Sequence, residues 1–403
     1  MAASLLAREV SDLCLGKPPL RCLSISATVA DALSALKRSG DSCVSVWSCK
    51  HGQIPEAAEK VAAADLDECR CVGKVCMVDI IGFLCKEENL SNPGSALQAP
   101  VSILIRKSGD FVRHLEPNAS FVEAIDLILE GAQNLVIPLE NSSRNSRKKL
   151  LQNALSNSTF HNNLQHCWLT QEDIVRYLVN SIALLSQTAV NPINSLDIID
   201  AQNITTFHYD NPASSALPSI AQSLEIQTSV AIVDGDGKLV GEISPFTLNS
   251  CDEDVVAAIV TLSAGDLMAY IDCGGPPEDL IQLVKERLQE RNLVKALELM
   301  EEDSGISSGI SSVSSSCSSS SEDEGFGVIR RSNGRSGGHS VKVVRRSEVI
   351  VCHPWSSLVA VMIQALSHRV GHVWVVGEDR TLAGIVTFAG MLKVFRDRLR
   401  TTA

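Results

Sequence analysis

This sequence of 403 residues has few aromatic residues and no excess of positive charge. Aromatic side chains make up only 4% of it, so a stacking platform for single-stranded nucleic acid is not expected. The chain has 35 Lys and Arg against 47 Asp and Glu, which gives a formal net charge of −12. Because phosphate neutralisation requires clustered cations, we predict neither nucleic acid nor an anionic membrane as a partner.

Long apolar runs and targeting signals are also missing. No charge-free apolar stretch is long enough to span a bilayer. The segment 1–20 carries Arg8, Glu9 and Asp12 in its most apolar part, unlike a secretory or transit peptide. The 13 cysteines are odd in number and irregularly spaced, which favours a reducing compartment over a disulfide framework. We expect a cytoplasmic protein, with the nucleus as the alternative location.

Catalytic motifs are absent from the sequence as well. It contains no G-x-S-x-G, P-loop, kinase or dinucleotide-binding pattern in a suitable context. Every segment expected to be ordered belongs to a repeated unit or a connecting helix, so no stretch remains for a separate catalytic domain. The sequence therefore predicts a non-catalytic protein that requires no cofactor.

The sequence does contain an internal repeat of the order strand, helix, strand, strand, helix. The clearest copy has strands at 348–351, 372–376 and 382–386 and amphipathic helices at 356–368 and 388–398. Three further copies lie upstream, and the hairpins of the first two carry long insertions, which cost little loop entropy. The apolar fraction of 45% suits helices packed on sheets.

A helix and a low-complexity segment separate the third and fourth copies. Residues 276–302 are predicted to form one long helix with prolines in its first turn. Residues 303–340 are nearly pure Ser, Gly and charge, so they cannot offset the entropy of ordering and are predicted to be disordered. Candidate phosphorylation sites are Ser318, before an acidic run, and Ser332 and Ser347, each after two arginines. A plain flexible linker is the alternative.

Each copy carries a related heptapeptide, Gly-x-x-Ser/Thr-x-x-Asp, on its second hairpin strand. The four versions are Gly73–Asp79, Cys167–Asp173, Gly241–Thr247 and Gly384–Gly390. Where a strand ends and a helix begins, the hydroxyl can cap the helix and face a phosphate or ribose oxygen. A carboxylate one turn on can accept ribose hydroxyls. Helix capping alone is the alternative role of these residues.

This repeat resembles the CBS domain, and the fourfold set is similar to the plant CBS-domain-containing proteins of the CBSX class. Wider relatives include the nucleotide-sensing gamma subunits of AMP-activated and sucrose-non-fermenting kinases. The resemblance implies an α/β (α+β) fold of four repeats paired into two Bateman modules, first with second and third with fourth. The expected boundaries are 8–190 for the first module (repeats about 10–90 and 98–186), 191–403 for the second (repeats about 195–265 and 341–400), 266–302 for a connecting helical segment and 303–340 for the disordered linker.

The resemblance also implies ligand clefts near the signature residues. Kinase gamma subunits use a basic residue at the start of the first hairpin strand, where this chain has Cys43, Asn134, Ser229 and His372. Because only His372 of these four can carry a positive charge, a nucleoside-like or monophosphate ligand is favoured over a polyphosphate. The predicted ligand is adenosine-containing (AMP, ATP or an S-adenosyl compound), and its predicted binding residues are Asp79, Cys76, Thr170, Asp173, Ser244, Thr387 and His372.

A second cluster lies at the two ends of the first hairpin insertion, at Cys49, His51, Cys69 and Cys71. Four sulfur and nitrogen donors close in space can form a tetrahedral zinc site. Their one-residue spacing departs from the usual zinc patterns, so we predict free thiols and keep zinc as the alternative.

The expected function is regulatory. Ligand binding would bias the relative orientation of the two modules, and a partner such as a protein kinase or a metabolic or redox enzyme would respond to it. A homodimer through the CBS modules is a further expected contact. The alternative is a degenerate CBS scaffold that acts only by protein–protein interaction, without a nucleotide.

Overall fold

The computed structural model describes residues 8–49, 69–105, 111–139, 161, 164–184, 186–272, 276–297 and 349–401. Several predictions from the sequence concern residues outside these ranges. They are the disordered linker 303–340, the phosphorylation candidates Ser318, Ser332 and Ser347, and the metal candidate His51.

The strands of the described residues form four three-stranded sheets of one topology. In each sheet the first strand runs parallel to the second, and the second runs antiparallel to the third. In chain order the strands are β1 Cys22–Ser24, β2 Cys43–Ser48, β3 Arg70–Cys76, β4 Val112–His114, β5 Asn134–Leu139, β6 Gln165–Thr170, β7 Thr205–His208, β8 Val230–Val233, β9 Leu239–Ile243, β10 Val351–Cys352, β11 His372–Val376 and β12 Leu382–Thr387.

A helix connects the two parallel strands of every sheet, and another follows the third strand. The connecting helices are Val29–Ser39, Phe121–Leu129, Leu217–Ile226 and Leu358–His368. The closing helices are Met77–Leu84, Gln171–Asn180, Pro245–Leu248 and Phe388–Thr401. The other helices are Val10–Leu13, Glu87–Leu90, Pro93–Leu97, Ser186–Ala189, Val255–Thr261, Ala264–Asp272 and Glu278–Glu290, with 3₁₀ turns at Val101–Leu104, Ile182–Leu184, Ile193–Ser195 and Ala213–Ala216. The predicted fourfold strand-helix-strand-strand-helix order is confirmed.

Polar side chains cap three of the four connecting helices at their first turn. The Thr28 hydroxyl accepts the Asp31 backbone N–H at 3.1 Å, and the Asp31 carboxylate accepts the Thr28 N–H at 2.9 Å. This reciprocal capping box satisfies two N–H groups that a helix start leaves unpaired. Ser120 and Ser357 cap the helices that follow them without the reciprocal bond: each hydroxyl accepts one backbone N–H, from Glu123 and Ala360 respectively.

The predicted helix 276–302 is wrong in extent. The helix ends at Glu290, and helical residues resume only at 294–297. Asn292 lies between them with a φ of 55°, a left-handed conformation that cannot continue a right-handed helix.

The open face of each sheet packs against the sheet of a second repeat. Between the first and second repeats, the buried apolar residues are Leu20, Trp47, Cys69, Cys71, Val112 and Val136. Between the third and fourth repeats, they are Ala231, Leu239, Trp374, Val376 and Ile385. Pairing of the four repeats into two Bateman modules is therefore confirmed.

The two modules pack against each other through their helices. One core joins the first repeat to the third, and another joins the second repeat to the fourth. At the second contact, Arg396 Nε donates to Asp126 Oδ1 at 2.6 Å. At the first contact, the Asn249 side-chain oxygen accepts the Val78 N–H at 3.0 Å. All four repeats consequently surround one common centre.

The chain that precedes each module packs on that module's second repeat. Val10 is fully buried in the core of the second repeat, and its N–H donates to the Ala119 carbonyl at 3.0 Å. Before the third repeat, Asp200 exchanges two backbone hydrogen bonds with Ile385 of β12, both at 2.9 Å. The first residues of the predicted repeat 10–90 thus contact the second repeat. The domain boundaries expected from the sequence stay predictions.

The second of these contacts predicts the effect of a methyl group at Gly384 on β12. A Cβ there would lie 2.4 Å from Ile199 Cγ2 and 3.2 Å from the Asp200 carbonyl oxygen. Gly384→Ala should destabilise the fold by about 1–3 kcal/mol, because backbone as well as side chain must shift. The control Gly82→Ala, where no atom lies within 4 Å, should be neutral or slightly stabilising. Urea unfolding midpoints measure both effects, and equal midpoints for the two variants would contradict this packing.

Candidate ligand-binding site

The strand register places the predicted hydroxyl positions opposite the predicted phosphate-contact positions. Cys43 pairs with Cys76, Asn134 with Thr170, and His372 with Thr387. In the third repeat, Val230 pairs with Ile243, so Ser229 and Ser244 stand one step further along the same two strands. The sequence signature therefore marks the same hairpin end in all four repeats.

A cavity of about 200 Å³ lies where these hairpin ends converge. Every repeat contributes to its wall, so a ligand inside would contact both modules. The lining residues are Ser42, Cys43, Lys74, Cys76, Gln133, Asn134, Thr170, Gln171, Glu172, Ser223, Leu224, Gln227, Thr228, Pro245, Phe246, Asn249, Arg369, Gly371 and Phe388. We call this space the central cavity.

Two cations of the central cavity were not predicted from the sequence. Lys74 lies on β3, and its Nζ donates to Asn134 Oδ1 at 2.5 Å, which joins the first repeat to the second. Arg369 ends the helix Leu358–His368 in a left-handed conformation with a φ of 54°. Lys74 is the second residue of the first signature, but neither residue occupies the position at which the family resemblance places a basic residue. Only the three-dimensional convergence of the repeats brings them together.

Cys43 and Cys76 form a hydrogen-bonded pair at the cavity wall. Their hydrogen bond lowers the pKa of Cys43 to about 7, with help from the nearby charge of Lys74 and against the effect of burial. The same hydrogen bond, together with burial, raises the pKa of Cys76. Cys76 is thus hydrogen-bonded to Cys43, in the place where the signature has a hydroxyl.

Asp79, predicted to accept ribose hydroxyls, accepts the Cys76 backbone N–H at 2.8 Å. Asp79 also lines two further cavities beside the central one, of about 40 and 240 Å³. Ile105 closes the cleft at this signature, because two of its carbons lie 3.0 Å from where a Cβ on Gly73 would stand. The signature glycine here accommodates a side chain of the protein itself.

The second repeat keeps both predicted ligand residues, and the chain itself engages them. Asp173 accepts the Thr170 N–H at 2.8 Å and the Thr170 hydroxyl at 2.7 Å. Lys17 forms a salt bridge with the same carboxylate at 2.5 Å and also donates to the Trp168 carbonyl at 2.8 Å. The Asp173 carboxylate, expected to bind ribose, is therefore paired with Lys17 from the N-terminal segment. Thr170 itself lines the central cavity.

In the third and fourth repeats the two signature hydroxyls act as helix caps. Ser244 accepts the Phe246 N–H at 3.0 Å, and Thr387 accepts the Gly390 N–H at 3.1 Å. Met268 packs against Gly241, and Ile199 packs against Gly384. In both cases a side-chain atom lies closer than 3 Å to the place where a Cβ on the glycine would stand. Capping, the alternative role considered for these residues, is what the structure shows for them.

His372, the predicted phosphate contact, is only 2% exposed and faces the third repeat. Its Nε2 lies 2.9 Å from Glu242 Oε2, and Trp374 Nε1 donates to the same oxygen at 2.6 Å. Burial opposes ionisation of Glu242, but the attraction of His372 and these hydrogen bonds outweigh it and lower the pKa of Glu242. The imidazole thus joins two repeats rather than lining the central cavity.

The metal candidates of the first insertion separate into two places. Cys49 and Cys69 lie together and are joined by His161 of the second repeat, which the sequence did not suggest. Cys71 lies apart from them. Its thiol donates to the Gly73 carbonyl at 3.4 Å, and its backbone N–H donates to His114 Nε2 at 3.1 Å.

A fourfold repeat in two modules around a shared cavity defines this chain as a CBS-domain protein. No family model matches it. CBS domain-containing protein CBSX5 of Arabidopsis thaliana is 45% identical to it, over 98% of each chain. The chain therefore belongs to the CBSX class of CBS-domain-containing proteins.

More distant relatives extend the comparison. The SNF1-related protein kinase regulatory subunit gamma-like PV42b of Arabidopsis thaliana is 22% identical, over 98% of this chain and 96% of that one. The solved structure of protein MJ1225 from Methanocaldococcus jannaschii is 15% identical, with a TM-score of 0.54 over 96% of this chain and 100% of its own. This last likeness supports the fold alone. Within the described residues, no helix has both the length and the apolar character needed to cross a membrane.

The buried contact of His372 with Glu242 predicts a large loss of stability on truncation. His372→Ala leaves the Glu242 carboxylate buried without its principal counterpart, which should cost about 3 kcal/mol. The control His208→Ala removes an imidazole that is 41% exposed and 3.7 Å from Asp210, and it should cost less than about 0.5 kcal/mol. Chemical denaturation measures both, and a His372→Ala variant as stable as the control would contradict the importance of this buried contact.

Glu242 also predicts an acid-sensitive term in stability. Because its pKa in the folded chain is below the unfolded value of about 4.3, it stabilises the fold above that pH. This contribution is lost as the pH falls through the folded pKa. Between about pH 6 and pH 3 the native protein should lose more unfolding free energy than Glu242→Gln. The exposed control Glu286→Gln should follow the native curve, and parallel curves for all three proteins would refute the assignment.

Proposed function

We propose that this protein is a non-catalytic regulatory protein whose central cavity binds an adenosine-containing ligand. Bound ligand would set the relative orientation of the two modules, and a partner protein would respond to that orientation. The observation that carries the proposal is the wall of the central cavity, to which all four repeats contribute. A ligand there touches both modules at once, and differential contact with two arrangements is what a regulatory ligand requires.

The side chains of the central cavity suit the parts of such a ligand. Lys74 and Arg369 offer positive charge for a phosphate, and two aromatic residues, Phe246 and Phe388, line the same cavity, where a purine would pack. Glu172 lines the same wall, but its carboxylate is paired with Arg176 at 2.5 Å, which weakens its repulsion of an anion. With two cations, one of them already bonded to Asn134, a monophosphate is favoured over a triphosphate.

The partner class follows from the relatives. PV42b, similar over nearly the whole chain, is described as a gamma-like regulatory subunit of an SNF1-related kinase. This supports a protein kinase as the partner of this chain, with a metabolic or redox enzyme as the other class to test. A homodimer through the modules is a further contact that the same experiments would detect.

A scaffold without any nucleotide is the second candidate, and a specific observation favours it. Each of the four signatures is contacted by a side chain of the protein itself, at what we call its peripheral cleft: Ile105, Lys17, Met268 and Ile199 in repeat order. A degenerate CBS protein that works only by protein contact would show this occlusion. It predicts that partner capture survives combined substitution of Thr170 and Asp173 by Ala.

Isothermal titration of the full chain with AMP, ATP and S-adenosylmethionine separates the two candidates. The sensor predicts one molecule of AMP per chain. Lys74→Met and Arg369→Gln should each weaken AMP binding by about tenfold or more, since a charge-assisted hydrogen bond contributes about 1.5–3 kcal/mol. The control Arg380→Gln changes an exposed arginine with the same left-handed backbone, a φ of 66°, and should leave affinity unchanged.

Absence of heat and of any thermal shift with all three compounds at millimolar concentration would exclude the sensor and leave the scaffold. Binding that is insensitive to both cavity variants would place the ligand elsewhere.

A further inference from the structure

Three metal-ligating side chains converge at the mouth of the first hairpin. The register of β2 and β3 pairs Ser48 with Arg70, so Cys49 and Cys69 follow as the next pair across the hairpin. The two thiol sulfurs and a ring nitrogen of His161 all lie within 4.8 Å of one another. Cys49 Sγ lies 3.2 Å from His161 Nδ1. Two donors thus come from the first repeat and one from the second.

Packing holds His161 in place for this role. Its ring stacks on Trp47 with centroids 3.8 Å apart and planes within 1° of parallel. Its backbone exchanges two hydrogen bonds with Leu164, both at 3.0 Å. Trp47 is itself fixed, because it is 1% exposed and its Nε1 donates to the Ser45 hydroxyl at 2.9 Å. Because ring stacking and backbone hydrogen bonds already restrain this imidazole, it loses little conformational freedom when it binds a metal.

The donor set is that of a thiophilic metal ion. Two thiolates and a neutral imidazole are typical ligands of zinc, with bonds of about 2.3 Å to sulfur and 2.0–2.1 Å to nitrogen. Donors around a tetrahedral ion of that size stand about 3.5–3.8 Å apart, so small side-chain rotations suffice here. The two thiol protons pass to solvent on binding. The resulting complex of Zn²⁺ with two thiolates is neutral, which avoids the cost of burying a net charge.

We propose that Cys49, Cys69 and His161 form a zinc site that fastens the hairpin of the first repeat to the second repeat, with water as the fourth ligand. This set differs from the one suggested by the sequence, since His161 replaces Cys71. The site lies at the sheet-to-sheet contact formed by Trp47, Cys69 and Val136. Metal binding would therefore stabilise the pairing of repeats in the first module, away from the central cavity.

Cobalt titration of the full chain tests the site. The protein is reduced, stripped of metal with a chelator, freed of the chelator and titrated with Co²⁺, whose spectrum reports thiolate ligation and tetrahedral geometry. We expect one equivalent to give a thiolate-to-cobalt charge-transfer band that zinc displaces. Cys69→Ser should abolish most of that band, and His161→Ala should weaken binding by about 100-fold. The control Cys251→Ser, at a partly exposed cysteine of the third repeat, should behave as the native chain.

A second measurement covers the case in which Cys69→Ser does not fold. Zinc should raise the melting temperature of the native chain and of Cys251→Ser, but much less that of His161→Ala, which keeps both thiols. A reduced chain that binds no cobalt at micromolar concentration would overturn the proposal. So would a His161→Ala variant with native affinity and spectrum, because the two cysteines alone would then account for binding. A Cys49–Cys69 disulfide that persists after reduction would equally rule it out.

Discussion

The apolar sheet face that each repeat leaves uncovered is the constraint on which the rest of this structure depends. In each repeat the two helices cover only one side of the three-stranded sheet. Such a small unit is marginally stable alone. Trp47 and Trp374, both fully buried, lie on the open faces of their sheets and require a second sheet against them. Once the repeats are paired, their helices pack between modules, and the hairpin ends are brought to one centre. The central cavity is thus a consequence of packing and belongs to no single repeat.

The divergence of the four signatures acquires a physical explanation in this arrangement. Where the signature glycine persists, at Gly73, Gly241 and Gly384, the protein's own side chain occupies the space that the glycine leaves. In the second repeat, where the glycine is lost, Lys17 satisfies the carboxylate instead. The signatures have become packing and capping elements at the periphery, while their inner ends still line the shared cavity. This division is consistent with regulation through one central ligand rather than four peripheral ones.

The fold could be predicted from the sequence because its signals are local. Strands and helices recur in the same order at each repeat, and the aligned signatures placed Cys76 and Thr170 at equivalent hairpin positions, where the structure pairs them with Cys43 and Asn134. The break at Asn292 was missed because apolar residues at helical spacing, Leu293 and Leu297, continue beyond it.

The site could be predicted only in part, since its decisive contacts are distant in sequence. Glu242 and His372 are 130 residues apart, and Lys74 reaches Asn134 across 60. His161 lies within the insertion of the second hairpin, between β5 and β6, and the sequence of that insertion shows no metal pattern. A single sequence indicates which residues sit at the hairpin ends, but it does not show which repeats face each other there.

Hydrogen–deuterium exchange of the full chain with and without saturating AMP tests the central claim most directly. If one ligand in the central cavity joins both modules, amide exchange should slow around Lys74, Gln133, Thr228 and Arg369, one segment from each repeat. Protection confined to one module, or to a peripheral cleft such as that of Asp173, would contradict the account.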